Sequence, residues 1–271
     1  MLIKNQKDMK KLTALCLVTS IQILLFGTNV LAVTKTITQS GNWSSTTTWG
    51  GNSVPVAGDD VIISGGFMVT IDISNAACAS IQLGGSTLGT GTGTLAFNAG
   101  SQVTISGALN IGPFNNNNTA GSLTMTAGGT LTCASIILGK LGTWAEGTGT
   151  IELTATNTVP ANTQINFNNL TMSGGTTSLV RNVTVSGNLL INSGASLDGG
   201  TITLTLLGNF TNNGTFTGST GLVSFDKNGN QTITGTGINN FNLIREDFLS
   251  RSRPPNIQIV YLAQMLALSV V

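Results

Sequence analysis

The sequence GTLAFNAGSQVTISGALNIG at residues 93–112 is followed by a similar sequence, GSLTMTAGGTLTCASIILG, at residues 121–139. The two segments align at an offset of 28 residues, which slips to 27 near the end. In both, apolar residues alternate with Thr, Ser or Asn in short runs that end at glycine. This pattern is typical of β-strands separated by turns. The sequence therefore predicts an all-β protein built from repeated strand units.

Further segments repeat at other spacings. The similar pairs are VTISGALNI (103–111) with VTVSGNLLI (183–191), CASIQLG (78–84) with CASIILG (133–139), GTIEL (149–153) with GLVSF (221–225), and VTVSGNL (183–189) with LTLLGNF (204–210). Repeats of about 20 to 28 residues cannot bury their own apolar faces, so they must stack into a continuous core. We therefore expect a parallel β-helix, in which each coil lies about 4.8 Å from the last. A β-sandwich is the alternative.

The N-terminal residues 1–32 have the features of a secretory signal peptide. Lysines at positions 4, 7, 10 and 11 precede an apolar run from Leu12 to Phe26, and Val-Leu-Ala follows at 30–32. A membrane anchor would need about 20 uninterrupted apolar residues, and polar residues interrupt this run. The sequence thus predicts a secreted or cell-surface protein, cleaved after Ala32, with no membrane span in the mature chain.

The mature chain divides into three predicted regions. Residues 33–64 form an N-terminal cap and first coil, residues 65–244 form the β-helical repeats, and residues 245–271 form an atypical tail. The tail contains no glycine and is rich in charge at its start. We expect it to be either a C-terminal cap or attachment segment, or a segment foreign to the fold that arises from a truncated or altered reading frame. In the second case the chain is a fragment of a longer protein.

The cap region contains the sequence GNWSSTTTWGGNSVPVAGDDVIIS at residues 41–64, in a chain with few other aromatic or charged residues. We interpret it as a structural cap, in which the tryptophans cover the end of the stack and the acidic pair holds a turn by hydrogen bonding to the backbone. The predicted cap residues are Trp43, Trp49, Pro55, Gly58, Asp59 and Asp60. An alternative function for the three tryptophans of the chain is contact with a glycan. Those candidates are Trp43, Trp49 and Trp144.

The same stretch resembles the start of G8-like modules through a W…TW…G…VP…GDDVxI motif. The repeats from Val183 to Phe216 resemble those of large secreted bacterial surface proteins. This resemblance covers residues 37–244 and implies a right-handed parallel β-helix in an adhesin-like or polysaccharide-associated surface protein. Such proteins are commonly longer than this chain.

Composition excludes several kinds of chemistry. The chain has no histidine, which removes histidine-based triads and most zinc sites. Residues 33–244 carry four basic and seven acidic residues, a net charge of −3 without a basic patch, so nucleic acid is not an expected partner. The acidic residues are scattered singly apart from Asp59 and Asp60. We therefore expect no catalytic residues, no metal and no cofactor.

The predicted function is that of an exported, non-enzymatic, structural or adhesin-like β-helical module with a polysaccharide or cell-surface partner. The alternative is a β-helical enzyme that degrades polysaccharides, or a fragment of one. Such an enzyme would need two carboxylates facing each other across a groove, about 5 to 10 Å apart.

Two cysteines, Cys78 and Cys133, remain after signal cleavage. They occupy equivalent positions in two repeats, and the intervening repeat has Ile105 at that position. A position that accepts isoleucine points into the core, and two coils would separate the thiols by about 9 to 10 Å. That distance exceeds the roughly 7 Å limit for a disulfide. We expect buried free thiols that do not pair with each other.

Overall fold

A computed structural model describes residues 32–85, 90–113, 119–161, 165–246 and 257–259. The predicted signal peptide lies outside the described residues, apart from Ala32. A single short 3₁₀ helix is present among the described residues, at Thr46–Trp49. The strands are β1 (Thr34–Thr36), β2 (Gly41–Asn42), β3 (Asp60–Ile63), β4 (Met68–Ile71), β5 (Ala76–Cys78), β6 (Ser80–Leu83), β7 (Thr92–Phe97), β8 (Gln102–Ile111), β9 (Ala120–Thr124), β10 (Thr130–Leu138), β11 (Gly142–Ala145), β12 (Thr150–Leu153), β13 (Asn157–Thr158), β14 (Asn169–Met172), β15 (Thr176–Ser178), β16 (Val183–Val185), β17 (Leu189–Ile191), β18 (Ser196–Asp198), β19 (Thr203–Leu206), β20 (Phe210–Asn212), β21 (Thr215–Thr217), β22 (Leu222–Phe225), β23 (Gln231–Thr234), β24 (Ile238–Asn240), β25 (Leu243–Glu246) and β26 (Ile257–Ile259).

The strands form four parallel sheets. Sheet A has the order β1-β3-β6-β8-β10-β12-β14-β17-β20-β23-β26, with β5 also paired to β8. Sheet B has the order β11-β9-β7-β4-β2, sheet C β13-β15-β18-β21-β24, and sheet D β16-β19-β22-β25. Each strand pairs with a strand of the neighbouring coil, and the pairings among the described strands are parallel. The all-β parallel β-helix is confirmed, and the β-sandwich alternative is wrong because sandwich strands pair antiparallel.

The register of β8 and β10 reproduces the repeat seen in the sequence. Val103 lies opposite Leu131, an offset of 28, whereas Ile111 lies opposite Leu138, an offset of 27. The change occurs between Cys133 and Ser135, where the ladder has a β-bulge or irregularity. The slip in the sequence alignment therefore corresponds to one extra residue in β8. The offset of 21 between Val183 and Leu204 is likewise a stacking register.

The core consists of rows of apolar side chains, one from each coil. One row in sheet A runs Val103, Leu131, Ile151, Leu170 and Leu189, and each of these residues is buried. Alternate residues on the same strands are polar and more exposed. Fully burying one such aliphatic side chain contributes about 1.5–3 kcal/mol relative to leaving it exposed. Stacking of like residues on like explains why the repeats remain similar in sequence.

The cross-section of the coil changes along the chain. Up to β11 the coils contribute strands to sheets A and B, and from β13 onward they contribute strands to sheets A, C and D. Sheet A is the one sheet that continues through this change, by way of β10, β12 and β14. We call the region between β10 and β16 the junction. The similar segments GTIEL and GLVSF lie on different sheets, A and D, so their similarity does not reflect direct stacking.

The described part of the C-terminal region continues the ladder beyond the predicted boundary at residue 244. Arg245 and Glu246 belong to β25 and pair with Ser224 and Phe225 of β22. The exposed Arg245 fits there because strand pairing uses backbone atoms and leaves an outward side chain free to be charged. Strand β26 pairs with β23 in the same parallel sense. Whether the remaining tail is foreign to the fold stays a prediction, since it lies outside the described residues.

Asparagine side chains support the corner that precedes sheet A. The Oδ1 atom of Asn169 accepts the backbone N–H of Asn188 at 2.9 Å, and the Oδ1 atom of Asn188 accepts that of Asn209 at 3.0 Å. The Oδ1 atom of Asn209 in turn accepts the N–H of Thr232 at 3.1 Å. Each of these hydrogen bonds ties one coil to the next at the start of the sheet A strands.

We expect Asn188→Ala to lower the free energy of unfolding by about 1 kcal/mol, the net contribution of one such hydrogen bond. Urea denaturation followed by circular dichroism measures this change. The matched control is Asn75→Ala, because Asn75 is exposed and makes no side-chain hydrogen bond in the described structure. Equal free energies of unfolding for the two variants would mean that water replaces the lost Asn188 hydrogen bond at no cost in stability.

Candidate functional site

Trp43 and Trp49 lie together beside β2, the outermost strand of sheet B. Their rings meet edge to face, with centroids 5.3 Å apart and planes at 76°. The indole Nε1–H of Trp49 donates to the backbone oxygen of Trp43 at 2.9 Å. The short helix at Thr46–Trp49 brings the second ring back over the first, and Gly50 ends it in the left-handed conformation with φ 68°. Both rings are part of the core cluster.

The burial of these two rings argues against the alternative in which they contact a glycan. Trp43 is 1% exposed and Trp49 is 2% exposed, so neither ring offers a face on which a sugar could stack. Their polar edges are also occupied, since the indole N–H of Trp49 is already bonded within the pair. The arrangement is compatible with the predicted cap over the apolar interior.

The turn between the tryptophans and β3 is held by Asp59. Its carboxylate oxygens accept the backbone N–H of Val33 at 3.2 Å and that of Val56 at 3.1 Å. The N–H of Asp59 donates to the oxygen of Val56 at 2.8 Å, which closes the turn in which Gly58 lies. Asp59 is 2% exposed, so these hydrogen bonds compensate for burying a carboxylate. Its side chain thus ties β1 and the turn together.

The other predicted turn residues have more modest contacts. Pro55 is buried at the start of the turn. Asp60 is exposed and accepts the hydroxyl of Ser80 on the next coil. Both positions are compatible with a structural role.

Trp144 differs from the first two tryptophans. It stands on β11, opposite Leu123 of β9, and β11 is the last strand of sheet B. Its ring packs edge to face on Phe167 with centroids 5.7 Å apart, and its Nε1–H donates to the oxygen of Asn166 at 2.8 Å. The ring is only partly buried. Among the tryptophans, Trp144 is therefore the one with surface open to a ligand.

A shallow apolar groove lies at the junction, where β10, β13 and the chain after β15 come together. Its lining residues are Ile136, Ile137, Leu138, Thr158, Val159, Pro160, Ala161 and Val180. Ile137 and Val180 are 44% and 50% exposed, which is unusual for large apolar side chains in this protein. Leu141, which follows β10 and precedes the strand of Trp144, is 46% exposed. Sequence reasoning missed this groove, because its residues come from three coils whose relative positions depend on the change of cross-section.

Positive charge flanks the groove. The guanidinium of Arg181 donates to the oxygen of Ala161, a lining residue, at 2.7 Å. Lys140 is exposed two residues after Leu138. These are two of only four basic residues in residues 33–244. Asp198 lies opposite Ser178 in the strand ladder and accepts the N–H of Gly200 and the hydroxyl of Ser219.

Cys78 and Cys133 are both free and buried. Each lies opposite Ile105, Cys78 through β5 and Cys133 through β10, so the coil that contains Ile105 lies between them. Burial raises the pKa of the Cys78 thiol far above its ordinary value, and the carboxylates of Asp60 and Asp59 add to this. Burial alone raises the pKa of Cys133 to about 12. Both thiols therefore stay protonated and are poor nucleophiles.

Five carboxylates of the described residues accept hydrogen bonds from nearby groups, namely those of Asp59, Asp60, Asp72, Glu152 and Asp198. Asp72 accepts the backbone N–H and the hydroxyl of Ser44, and Glu152 accepts the hydroxyl of Thr132 at 3.3 Å. Within the described ranges no three His, Cys, Asp or Glu residues stand close enough together to hold a metal ion. The described part of the protein also has no helix that is both long and apolar enough to cross a bilayer.

The fold and this surface define a parallel β-helix module with two buried tryptophans beside its first coils and an open apolar groove at its junction. A G8 domain is found at residues 48–180. A search of curated proteins and a search of solved structures returned no significant match. The resemblance to G8 modules is thus confirmed. The match begins at Thr48, after the first tryptophan of the motif, and it continues beyond the motif through the coils as far as Val180.

Proposed function

We propose that this protein is an exported, non-enzymatic, structural or adhesin-like β-helical module that contacts polysaccharide through its junction surface. The junction surface comprises Ile137, Leu141, Trp144, Val180 and Arg181. The observation that carries the proposal is the partly exposed indole of Trp144 on the same coil as exposed aliphatic residues. Amphipathic rings of this kind favour ligands that have an apolar face and polar edges, as sugars do.

Two further observations support the proposal. G8 domains are typically extracellular, which agrees with the predicted signal peptide. The local cations Lys140 and Arg181 would favour acidic over neutral polysaccharides, because opposite charge attracts and orients a ligand. The carboxylates described above accept hydrogen bonds from nearby groups of their own turns and strands. This arrangement suits a structural role better than hydrolysis.

The test is binding of the full-length protein to a panel of acidic and neutral polysaccharides. We expect Trp144→Phe to weaken binding by about ten-fold or more, because aromatic anchors at interfaces commonly contribute more than about 1.4 kcal/mol. Phenylalanine keeps an apolar ring against Phe167, which limits the loss of stability. Ile137→Ser should also weaken binding, and since Ile137 is exposed its effect on unfolding should be small.

Two results would contradict the proposal. If polysaccharide binding survives both substitutions, the contact lies on another part of the protein. Release of soluble product from any polysaccharide, abolished by substitution of a pair of carboxylates, would establish the enzymatic alternative instead.

A further inference from the structure

We propose that Asn228 is a site of spontaneous covalent modification, at which the folded protein converts asparagine to aspartate and isoaspartate. The sequence contains two Asn-Gly pairs, Asn213-Gly214 and Asn228-Gly229. Such pairs are prone to this reaction because glycine places no side chain in the way of the attacking backbone nitrogen. The structure distinguishes the two pairs sharply.

The reaction needs only water. The deprotonated backbone nitrogen of Gly229 attacks Cγ of Asn228, a new N–C bond forms, and the bond from Cγ to the amide nitrogen Nδ2 breaks to release ammonia. The product is a five-membered succinimide. Water then adds to one of its two carbonyl carbons and opens the ring, which yields aspartate by one route and isoaspartate by the other. The net change is loss of ammonia, gain of water and one new negative charge at neutral pH.

The corner at Asn228 permits this attack. Asn228, Gly229 and Asn230 are all exposed and form a bend between β22 and β23. The side chain of Asn228 makes no hydrogen bond within the described structure. Gly229 has φ 111°, and apart from its two chain neighbours no residue has an atom within 4 Å of where its Cβ would be. Attack requires the Gly229 nitrogen to approach Cγ of Asn228, and neither a hydrogen bond of the Asn228 side chain nor packing around Gly229 opposes the necessary backbone rotation.

The Asn213-Gly214 pair is held by four hydrogen bonds. The N–H of Gly214, the group that would attack, donates to Oδ1 of Asn212 at 2.9 Å. The oxygen of Gly214 accepts the N–H of Ile238 at 2.8 Å. Oδ1 of Asn213 accepts the N–H of Thr236 at 3.3 Å, and the N–H of Asn213 donates to the backbone oxygen of Ile191 at 2.7 Å. Modification at Asn213 therefore requires breaking hydrogen bonds to both neighbouring coils.

The new charge would stand next to a residue that supports the asparagine corner. Lys227 donates from Nζ to Oδ1 of Asn209 at 2.9 Å, and its N–H donates to Oε1 of Gln231. A carboxylate at position 228 offers the ammonium of Lys227 a second, charged partner. The modification would therefore place a charge beside the last of the asparagine hydrogen bonds without removing any of these bonds.

The experiment is incubation of the folded full-length protein at mildly alkaline pH and physiological temperature, followed by peptide mapping and enzymatic labelling of isoaspartate. We expect modification at Asn228 to be at least about ten-fold faster than at Asn213, because each hydrogen bond that must open contributes about 1 kcal/mol. In denaturant the two pairs should react at similar rates, since both are Asn-Gly. Asn228→Gln should abolish the signal at position 228 and leave that at Asn213 unchanged.

Equal rates at the two sites in the folded protein would overturn the proposal, and so would absence of modification at Asn228 while the denatured protein reacts there. Neither outcome depends on whether polysaccharide binds, so this test is independent of the proposed function.

Discussion

Trp49→Ala is expected to lower the free energy of unfolding by about 3–5 kcal/mol, the usual cost of truncating a fully buried tryptophan in a core. The substitution removes the ring that covers Trp43 and leaves a cavity at the end of the stack. It also deprives the oxygen of Trp43 of its donor, because the indole N–H of Trp49 is bonded to it at 2.9 Å. A repeat protein loses stability locally when a terminal unit is damaged, since each coil contacts only its neighbours. We therefore expect the first coils to open before the rest.

The measurement is urea denaturation combined with hydrogen exchange of peptides that cover β1 to β4. Faster exchange should concentrate in these strands, while β17 to β20 stay protected. The control is Thr46→Ala, at the exposed start of the same 3₁₀ helix, which should change stability little. If Trp49→Ala were as stable as this control, the tryptophan pair would not be a cap. Glycan binding should be unchanged, because the buried Trp49 ring has no open face.

The apolar alternation of the sequence predicted the direction of each side chain but not the sheet to which its strand belongs. Ile105 was aligned with Cys133 by sequence similarity alone, and the structure places these residues opposite each other. Like residues stack on like, so similarity between neighbouring repeats specifies register. The burial of both cysteines follows from the same alignment.

The same reasoning could not locate the junction. Ile151 and Val223 both lie in alternating runs of the same form, yet one is on sheet A and the other on sheet D. Which face a strand joins depends on the corners before it, and corner conformation depends on packing against the neighbouring coil rather than on alternation. The role of Trp144 was hidden for this reason. Its position at the end of sheet B becomes apparent only once the following coils are seen to add strands to sheets C and D instead.

The corners themselves depend on close contact between the backbones of neighbouring coils. Gly208 and Gly187 lie at the same corner of successive coils, 21 residues apart, in the repeated Gly-Asn pairs before β20 and β17. A Cβ atom at position 208 would lie 1.9 Å from the oxygen of Gly187 and 2.3 Å from its carbonyl carbon. Coils stacked about 4.8 Å apart leave no room for this methyl group.

Gly208→Ala should therefore lower the free energy of unfolding by about 3 kcal/mol or more, at or above the upper end of the usual cost of overpacking. Crowding by a flexible side chain is often relieved by rotation of that group, but here the obstacle is backbone, so whole coils must shift. The shift would also strain the hydrogen bonds from Nε2 of the buried Gln231 to the oxygens of Gly208 and Leu206. Thermal and urea denaturation of the full-length protein measure the loss.

Gly199→Ala is the matched control, because a Cβ atom at position 199 would meet its nearest neighbours at 3.5 Å, which is ordinary contact. Neither Gly199 nor Gly208 has a positive φ, so the two substitutions differ in space and not in backbone strain. The control should be neutral or should stabilise the protein by up to about 1 kcal/mol, because alanine restricts the unfolded state. Equal losses of stability from the two substitutions would show that the corners tolerate a wider coil spacing. The close stacking of Gly187 on Gly208 would then not determine the register of the coils that follow.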